Sequence, residues 1–383
     1  MRTLLPLAVL LLAAAACGGA GKKPAAKEPA ALAGIADAIR IAKRWSADIG
    51  GTPEKLARRG LRIVLDGDRL YAADGTGNLL ALDAESGKKI WKRDTETRIA
   101  GGPGAAGGIV VVGTDEGEVL AYDAGQGKRL WNARVSSEVL APPAVGTDSV
   151  LVRTLDGKLF RIAARSGRKL WVYSTNPPPL TLHGASAPVL HDNIVLAGFD
   201  SGNLAAIELS SGKPLWEIEV SPPSGRSELE RMVDVDAELE VVDHSVYASS
   251  YQGNIAMVNL LTGRISWTHA VSSYSGLAAD DSNLYVTDDE GRLLALDRAT
   301  GEPRWQQDLL RHRRLSSPPA VFDRYVVCGD EEGYLHWFRR SDGSPAGRVR
   351  LASSPVLASL ATERLLYAYA ASGEIAAFSE RLP

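Results

Sequence analysis

Three features of the sequence predict an all-β chain folded as an eight-bladed β-propeller of four-stranded antiparallel blades. A phrase that runs from one glycine to a second glycine ten residues on, and then to a tryptophan, recurs along the chain. Successive copies begin about 40 residues apart, the length of four short strands with their turns. The eighth copy lacks its last strand, while a lone strand, "RIAKRWSADIG", stands ahead of the first copy. The ring is therefore expected to close by pairing the two ends of the chain, which protects the sheet edges.

In chain order, the first segment lies outside the ring. "MRTLLPLAVLLLAAAAC" has a basic start at Arg2 and an apolar run to Ala16. That run is shorter than the roughly 20 apolar residues a membrane-spanning helix needs, and it has the anatomy of a secretory signal peptide. Its end, "AAAC", resembles a bacterial lipobox, although Ala14 stands where leucine is usual. Residues 1–16 read as a signal peptide and Cys17 as the site of lipidation. Acyl chains at Cys17 suffice for stable membrane anchoring. The following "GGAGKKPAAKEPAAL" has no periodicity and reads as a flexible tether, residues 17–38. Gly18 and Gly19 follow the cysteine, with no aspartate to retain the protein at the inner membrane, so the expected location is the periplasmic face of the outer membrane.

Residues 39–383 are assigned to the propeller. The copies begin with "GNLLALDAESGKKIW" at Gly77 and continue from Gly117, Gly157, Gly202, Gly253 and Gly291. "GYLHWFRRSDGSPAG" at Gly333 keeps both glycines and puts Gly347 where tryptophan is expected; "GEIAAFSE" at Gly373 is the incomplete copy. The stretch after the first glycine is expected to alternate as a half-buried strand. The second glycine permits the positive φ of a tight turn, and the tryptophan then falls on the next strand. Trp45, Trp91, Trp131, Trp171, Trp216, Trp267 and Trp305 are thus expected to dock one blade on the next. Each indole buries about 150–250 Å², an upper bound of roughly 4–6 kcal/mol of transfer free energy. The seam at Gly347 should be the softest unless another residue, such as Trp337, fills it.

Composition narrows the function. With 43 basic and 46 acidic residues the net charge is -3, unlike the strongly basic surface of a nucleic-acid binder. Two cysteines, Cys17 and Cys328, build no disulfide framework, and the six histidines show no metal-ligand spacing and read as surface or loop residues. The acids in "DDEG" and "DEEG" precede repeat glycines and read as turn residues rather than calcium ligands. No nucleophile elbow, phosphate loop or dinucleotide fingerprint is present.

The pattern in "ALDAESGKKIW" resembles the tryptophan-docking repeat of quinoprotein dehydrogenases, which use pyrroloquinoline quinone. That resemblance makes such an enzyme, or a small-ligand-binding propeller, the alternative function. The family's vicinal cysteine pair is missing, and no insertion carries a calcium-binding cluster, so the sequence implies no cofactor and no enzyme.

Function is sought where the repeat is interrupted. The first glycines stand 40 residues apart twice; the spacing then rises to 45 before Gly202 and 51 before Gly253, and falls to 38, 42 and 40. The extra residues, "NPPPLTLHGASAP" (176–188) and "SPPSGRSELERMVDVD" (221–236), occupy equivalent connections and should be neighbours on one rim. Insertions in repeat proteins mark binding faces. Leu180 and Leu182 offer an apolar anchor and Asp234 and Asp236 an acidic rim, a common interface arrangement.

The same loops resemble those of BamB, the family of outer-membrane protein assembly factors. "LTLHGASAP" is similar to that family's L-x-L-R-G-x-S-A-P, "RMVDVD" to its R-L-x-D-V-D, and the resemblance spans nearly the whole mature chain. It implies a non-enzymatic lipoprotein scaffold that binds a POTRA domain of BamA, and through it the BAM complex, and assists assembly and insertion of outer-membrane β-barrels. Such assistance would come either from orienting the POTRA domains or from holding nascent outer-membrane strands at an exposed blade edge, and the sequence does not separate the two. Leu180, Leu182, His183, Asp234 and Asp236 would then contact BamA. His183 stands where the family has arginine, and an imidazole does not reproduce a guanidinium fork.

Overall fold

A computed structural model describes residues 30–36, 38–50, 60–176, 178, 186–222, 234–235, 237–273, 275–313, 315 and 317–380. Cys17, Leu180, Leu182, His183 and Asp236 lie outside the described residues.

Eight four-stranded antiparallel sheets form the eight blades of a β-propeller. Blades 1 to 7 span residues 63–94, 99–134, 144–174, 189–219, 240–269, 277–307 and 320–350. Blade 8 joins the ends of the chain: its outer strand, Ile41–Asp48, pairs antiparallel with Glu374–Glu380, from Ile41 opposite Glu380 to Asp48 opposite Glu374. The expected closure by the two ends of the chain is therefore present.

Burial within a blade follows the layering rather than simple alternation. In blade 1 the third strand, Asn78–Asp83, is buried from Leu79 through Leu82, whereas the outer strand Lys89–Asp94 buries Trp91 alone. The third strand was expected to be half-buried. It is covered on both faces because blades stack against one another, as strands in a two-sided layer are.

The tryptophans dock the blades as expected, and the mechanism is specific. In each of the seven, the pairing register slips by one residue just before the indole, at Arg44, Ile90, Leu130, Leu170, Leu215, Ser266 and Arg304. Such bulges re-aim the side chain that follows, and they leave Ile90, Leu130, Leu170 and Leu215 exposed beside their tryptophans. Each indole lies over the second glycine of the next blade and donates Nε1–H to a carbonyl there. The hydrogen bonds run Trp45–Ala84 (3.1 Å), Trp91–Ala124 (3.0 Å), Trp131–Ala164 (2.7 Å), Trp171–Leu209 (2.8 Å), Trp216–Leu260 (2.8 Å), Trp267–Arg298 (3.2 Å) and Trp305–Arg340 (2.9 Å).

The seam between blades 7 and 8 is built differently. The last two strands of blade 8 come from opposite ends of the chain, so no glycine turn joins them and an indole would have nothing to land on. Ile39 and Ile41 pack over Gly347 instead, and the Ile39 amide donates to Ala346 O at 2.8 Å. Trp337 is fully buried beside them, with Phe322 and Tyr325 meeting its ring edge-on at 5.5 and 5.8 Å. Arg324 and the Tyr325 hydroxyl both donate to Glu380 across the seam, at 3.0 and 3.1 Å.

Part of the segment counted with the tether also lies on the ring. Ala30 N donates to Arg311 O (3.0 Å), Arg313 donates to Ala30 O (2.8 Å), Arg348 donates to Ala33 O (3.2 Å), and Leu32 packs against the core between blades 6 and 7.

Candidate partner interface

Within a blade the second and third strands are joined by the turn that holds the repeat glycine. The connection to the next blade returns to that same end of the sheet. The two long connections, after blades 3 and 4, thus share one rim with the repeat turns of blades 4 and 5.

The described footings explain how they are held. The first connection leaves blade 3 at Thr175, whose amide and hydroxyl both donate to Gly157 O at 2.9 Å, and returns at Ser186 and Ala187, both buried. The second leaves at Ser221, whose hydroxyl meets that of Ser250 at 2.7 Å and accepts from Asn254 N at 2.9 Å. It returns at Asp234 and Val235. Val235 N donates to Phe199 O (3.3 Å) and Tyr251 N donates to Asp234 O (3.1 Å), so the return leg is gripped by the repeat turns of blades 4 and 5 at once.

An ion pair joins the two blades from which the connections leave. Arg153 of blade 3 pairs with Asp200 of blade 4, both 4% exposed, and lies 5.7 Å from the centroid of Phe199. Blades 3 and 4 and the return leg of the second connection therefore meet around Arg153, Phe199 and Val235. Sequence reasoning missed Arg153 and Asp200, whose pairing depends on two blades meeting; the local signal was one charged residue on a second strand that is otherwise uncharged.

Of the expected contact residues, Asp234 is described, and its side chain is wholly buried. It does not form an exposed acidic pair: the grip on the return leg turns it into the fold. The other four lie outside the described residues.

Charge elsewhere on this rim is also organised. Glu238, just past the second connection, accepts from Arg62 at 2.9 Å. Glu240 follows on the innermost strand of blade 5; burial, and then the negative charge of Glu238, push its carboxyl up to about 7, against a hydrogen bond from the Ala279 amide. The reading of the histidines fails at His336, which is buried and hydrogen-bonded to Asp330 at 2.9 Å. Burial holds its ring below the usual histidine range, overriding the pull of Asp330. Asp330 and Asp288 do behave as turn acids: each accepts two backbone N–H groups of its own turn at 2.8–3.0 Å. Among the described residues no three His, Cys, Asp or Glu side chains gather as a metal site.

The comparisons with known proteins agree with this architecture. The family model for outer membrane protein assembly factor BamB matches residues 42–101, 76–307 and 299–381. The chain belongs to the BamB family. It is 48% identical over 377 residues to the BamB of Alkalilimnicola ehrlichii, covering 98% of this chain and 96% of that one. The crystal structure of BamB from Moraxella catarrhalis superposes with a TM-score of 0.81 at 28% identity, covering 89% of this chain and all of the other. The quinohemoprotein alcohol dehydrogenase of Comamonas testosteroni reaches 0.69 at 13% identity, over 90% of this chain and 77% of that one, a likeness of fold alone. A BamB-family chain is an assembly factor and not an enzyme, so the quinoprotein alternative is reduced to shared architecture.

Proposed function

We propose that this protein is a lipid-anchored scaffold of the β-barrel assembly machinery, held by Cys17 at the periplasmic face of the outer membrane. It binds a POTRA domain of BamA through its two long connections and so assists insertion of outer-membrane β-barrels. The observation that carries this reading is the convergence of both connections on one rim, the blades they leave being joined by the buried Arg153–Asp200 pair. Insertions on a regular repeat, held by a rigid base, are how loops are presented to a partner.

Leu180, Leu182, His183 and Asp236 are the proposed contacts. Asp234 supports them from within: its side chain is buried, and its backbone carbonyl accepts from Tyr251 N in the footing of the second connection. A neutral histidine at 183 removes one permanent charge from the contact, which shifts recognition toward the apolar pair.

The test is recovery of BamA with the tagged full-length protein from detergent-solubilised envelopes. BamA should co-purify, and Leu180→Glu/Leu182→Glu should weaken its retention at least about tenfold, as loss of a central apolar anchor does. Recovery of other envelope proteins without BamA overturns the reading.

A further inference from the structure

Arg62 and Glu238 belong to opposite sides of the ring. Blades follow chain order around it, so blade 5 stands four places from blade 1 in either direction. Arg62 immediately precedes the first strand of blade 1, and Glu238 stands two residues before the first strand of blade 5. Their side chains nonetheless meet, Arg62 Nη1 donating to Glu238 Oε1 at 2.9 Å. The contact crosses the ring axis at the mouth of the central channel, on the rim that carries the long connections.

Both ends rest on fixed backbone. Arg62 N donates to Gly102 O at 3.0 Å, and Leu61 bridges Gly102 of blade 2. On the other side, Ala237 and Leu239 flank Glu238 and are buried. The pair itself is partly solvated, with side chains 26% and 44% exposed, and a pair in that position contributes little to global stability. What it supplies is position. The second connection has three footings, at Ser221, at Asp234–Val235 and at Glu238. The first two grip neighbouring turns; the third reaches across the channel.

We propose that Arg62 is a positioning residue for the second connection, a strut that holds its return leg over the channel mouth from the far side of the ring. The proposal builds on the assignment of that connection to partner binding, and it adds a residue 176 positions from Glu238 in sequence, a coupling that only ring closure makes possible.

The test uses the full-length protein and two readouts. The first is hydrogen exchange of amides in residues 221–239 of the free protein. Arg62→Ala should speed exchange there about tenfold, while the thermal midpoint moves by less than about 2 °C, the pattern of a local opening. Reversing the pair, Arg62→Glu with Glu238→Arg, should restore slow exchange, and Glu238→Arg alone should not. The second readout is affinity for purified POTRA domains of BamA, which should fall about fivefold in Arg62→Ala and recover on reversal, the size expected for the cost of ordering a loop. Wild-type exchange in Arg62→Ala, or failure of the reversed pair to rescue it, overturns the strut. A wild-type protein that does not bind the POTRA domains overturns the proposed function instead, and the exchange measurement still decides the strut.

Discussion

Ile39 packs over Gly347 where, at the seven other seams, an indole packs over a glycine. A Cβ built on Gly347 would lie 3.0 Å from Cγ1 of Ile39 and 2.9 Å from Cδ1 of Ile41. The missing tryptophan is thus no defect of the repeat. It is absent where the next blade is closed by a strand from the other end of the chain and offers no turn to cover.

Restoring the repeat should therefore harm the protein. Gly347→Trp forces an indole into space already filled by Ile39 and Ile41, and overpacking of this kind costs about 1–3 kcal/mol or more. Urea unfolding should show a lower midpoint for Gly347→Trp, and Ile39→Ala at the same seam should also destabilise, by about 2–4 kcal/mol. A stabilised Gly347→Trp protein would contradict this account of the seam.

The docking glycines should tolerate no side chain. Gly212 has φ +74, and a Cβ there would stand 2.7 Å from Cδ2 of Trp171; Gly167 has φ +70 and faces Trp131 at 2.8 Å. Strain and clash act together, so Gly212→Ala should cost about 2–4 kcal/mol, comparable to Trp171→Ala at about 3–5 kcal/mol. Both substitutions break one contact, so the double variant should cost clearly less than the two single effects combined.

Glu240 should make the fold more stable in acid than in mild base. Its carboxyl titrates near 7 in the folded protein against 4.5 in the absence of burial and Glu238. Between those values the folded state binds the extra proton, so stability is greatest below about pH 4.5 and declines as pH rises through 7. The full effect is about 3 kcal/mol, less where solvent reaches the carboxylate. Glu240→Gln should raise the urea midpoint at pH 8 and leave it unchanged near pH 4.5. Equal effects at both pH values would show that the carboxyl is not strained by ionisation.

Arg313 should control whether residues 30–36 stay on the ring. It is buried, pairs with Asp330 at 3.3 Å and with Glu332, and donates to Ala30 O at 2.8 Å. Arg313→Ala leaves Asp330 with a buried charge short of one partner, a loss of about 3–5 kcal/mol. Asp330 keeps His336 and two turn amides, which places the expected value at the lower end. Limited proteolysis should cut near residue 30 faster in this variant; unchanged cleavage would show that Leu32, Arg348 and the Ala30–Arg311 backbone hydrogen bond hold the N-terminal segment without Arg313.

The repeat, its count and its closure were all legible in the sequence, because each blade must solve the same local problem. A glycine must turn, an indole must cover it, and both recur at fixed spacing. The place of the two long connections was legible too, since equivalent connections in a ring share a face. Other features depend on chain segments meeting that no local pattern relates. Asp234 is acidic and looks exposed in "RMVDVD", yet the turns of blades 4 and 5 fold it inside. His336 looks like a stray histidine until Asp330 and Arg313 enclose it. Ile39 becomes a substitute for an indole, and Arg62 finds Glu238, once the chain ends have closed the ring. Periodicity along the chain determined the fold; closure in space, which brings distant residues within a few ångströms, decided which charges are buried and which loops are held.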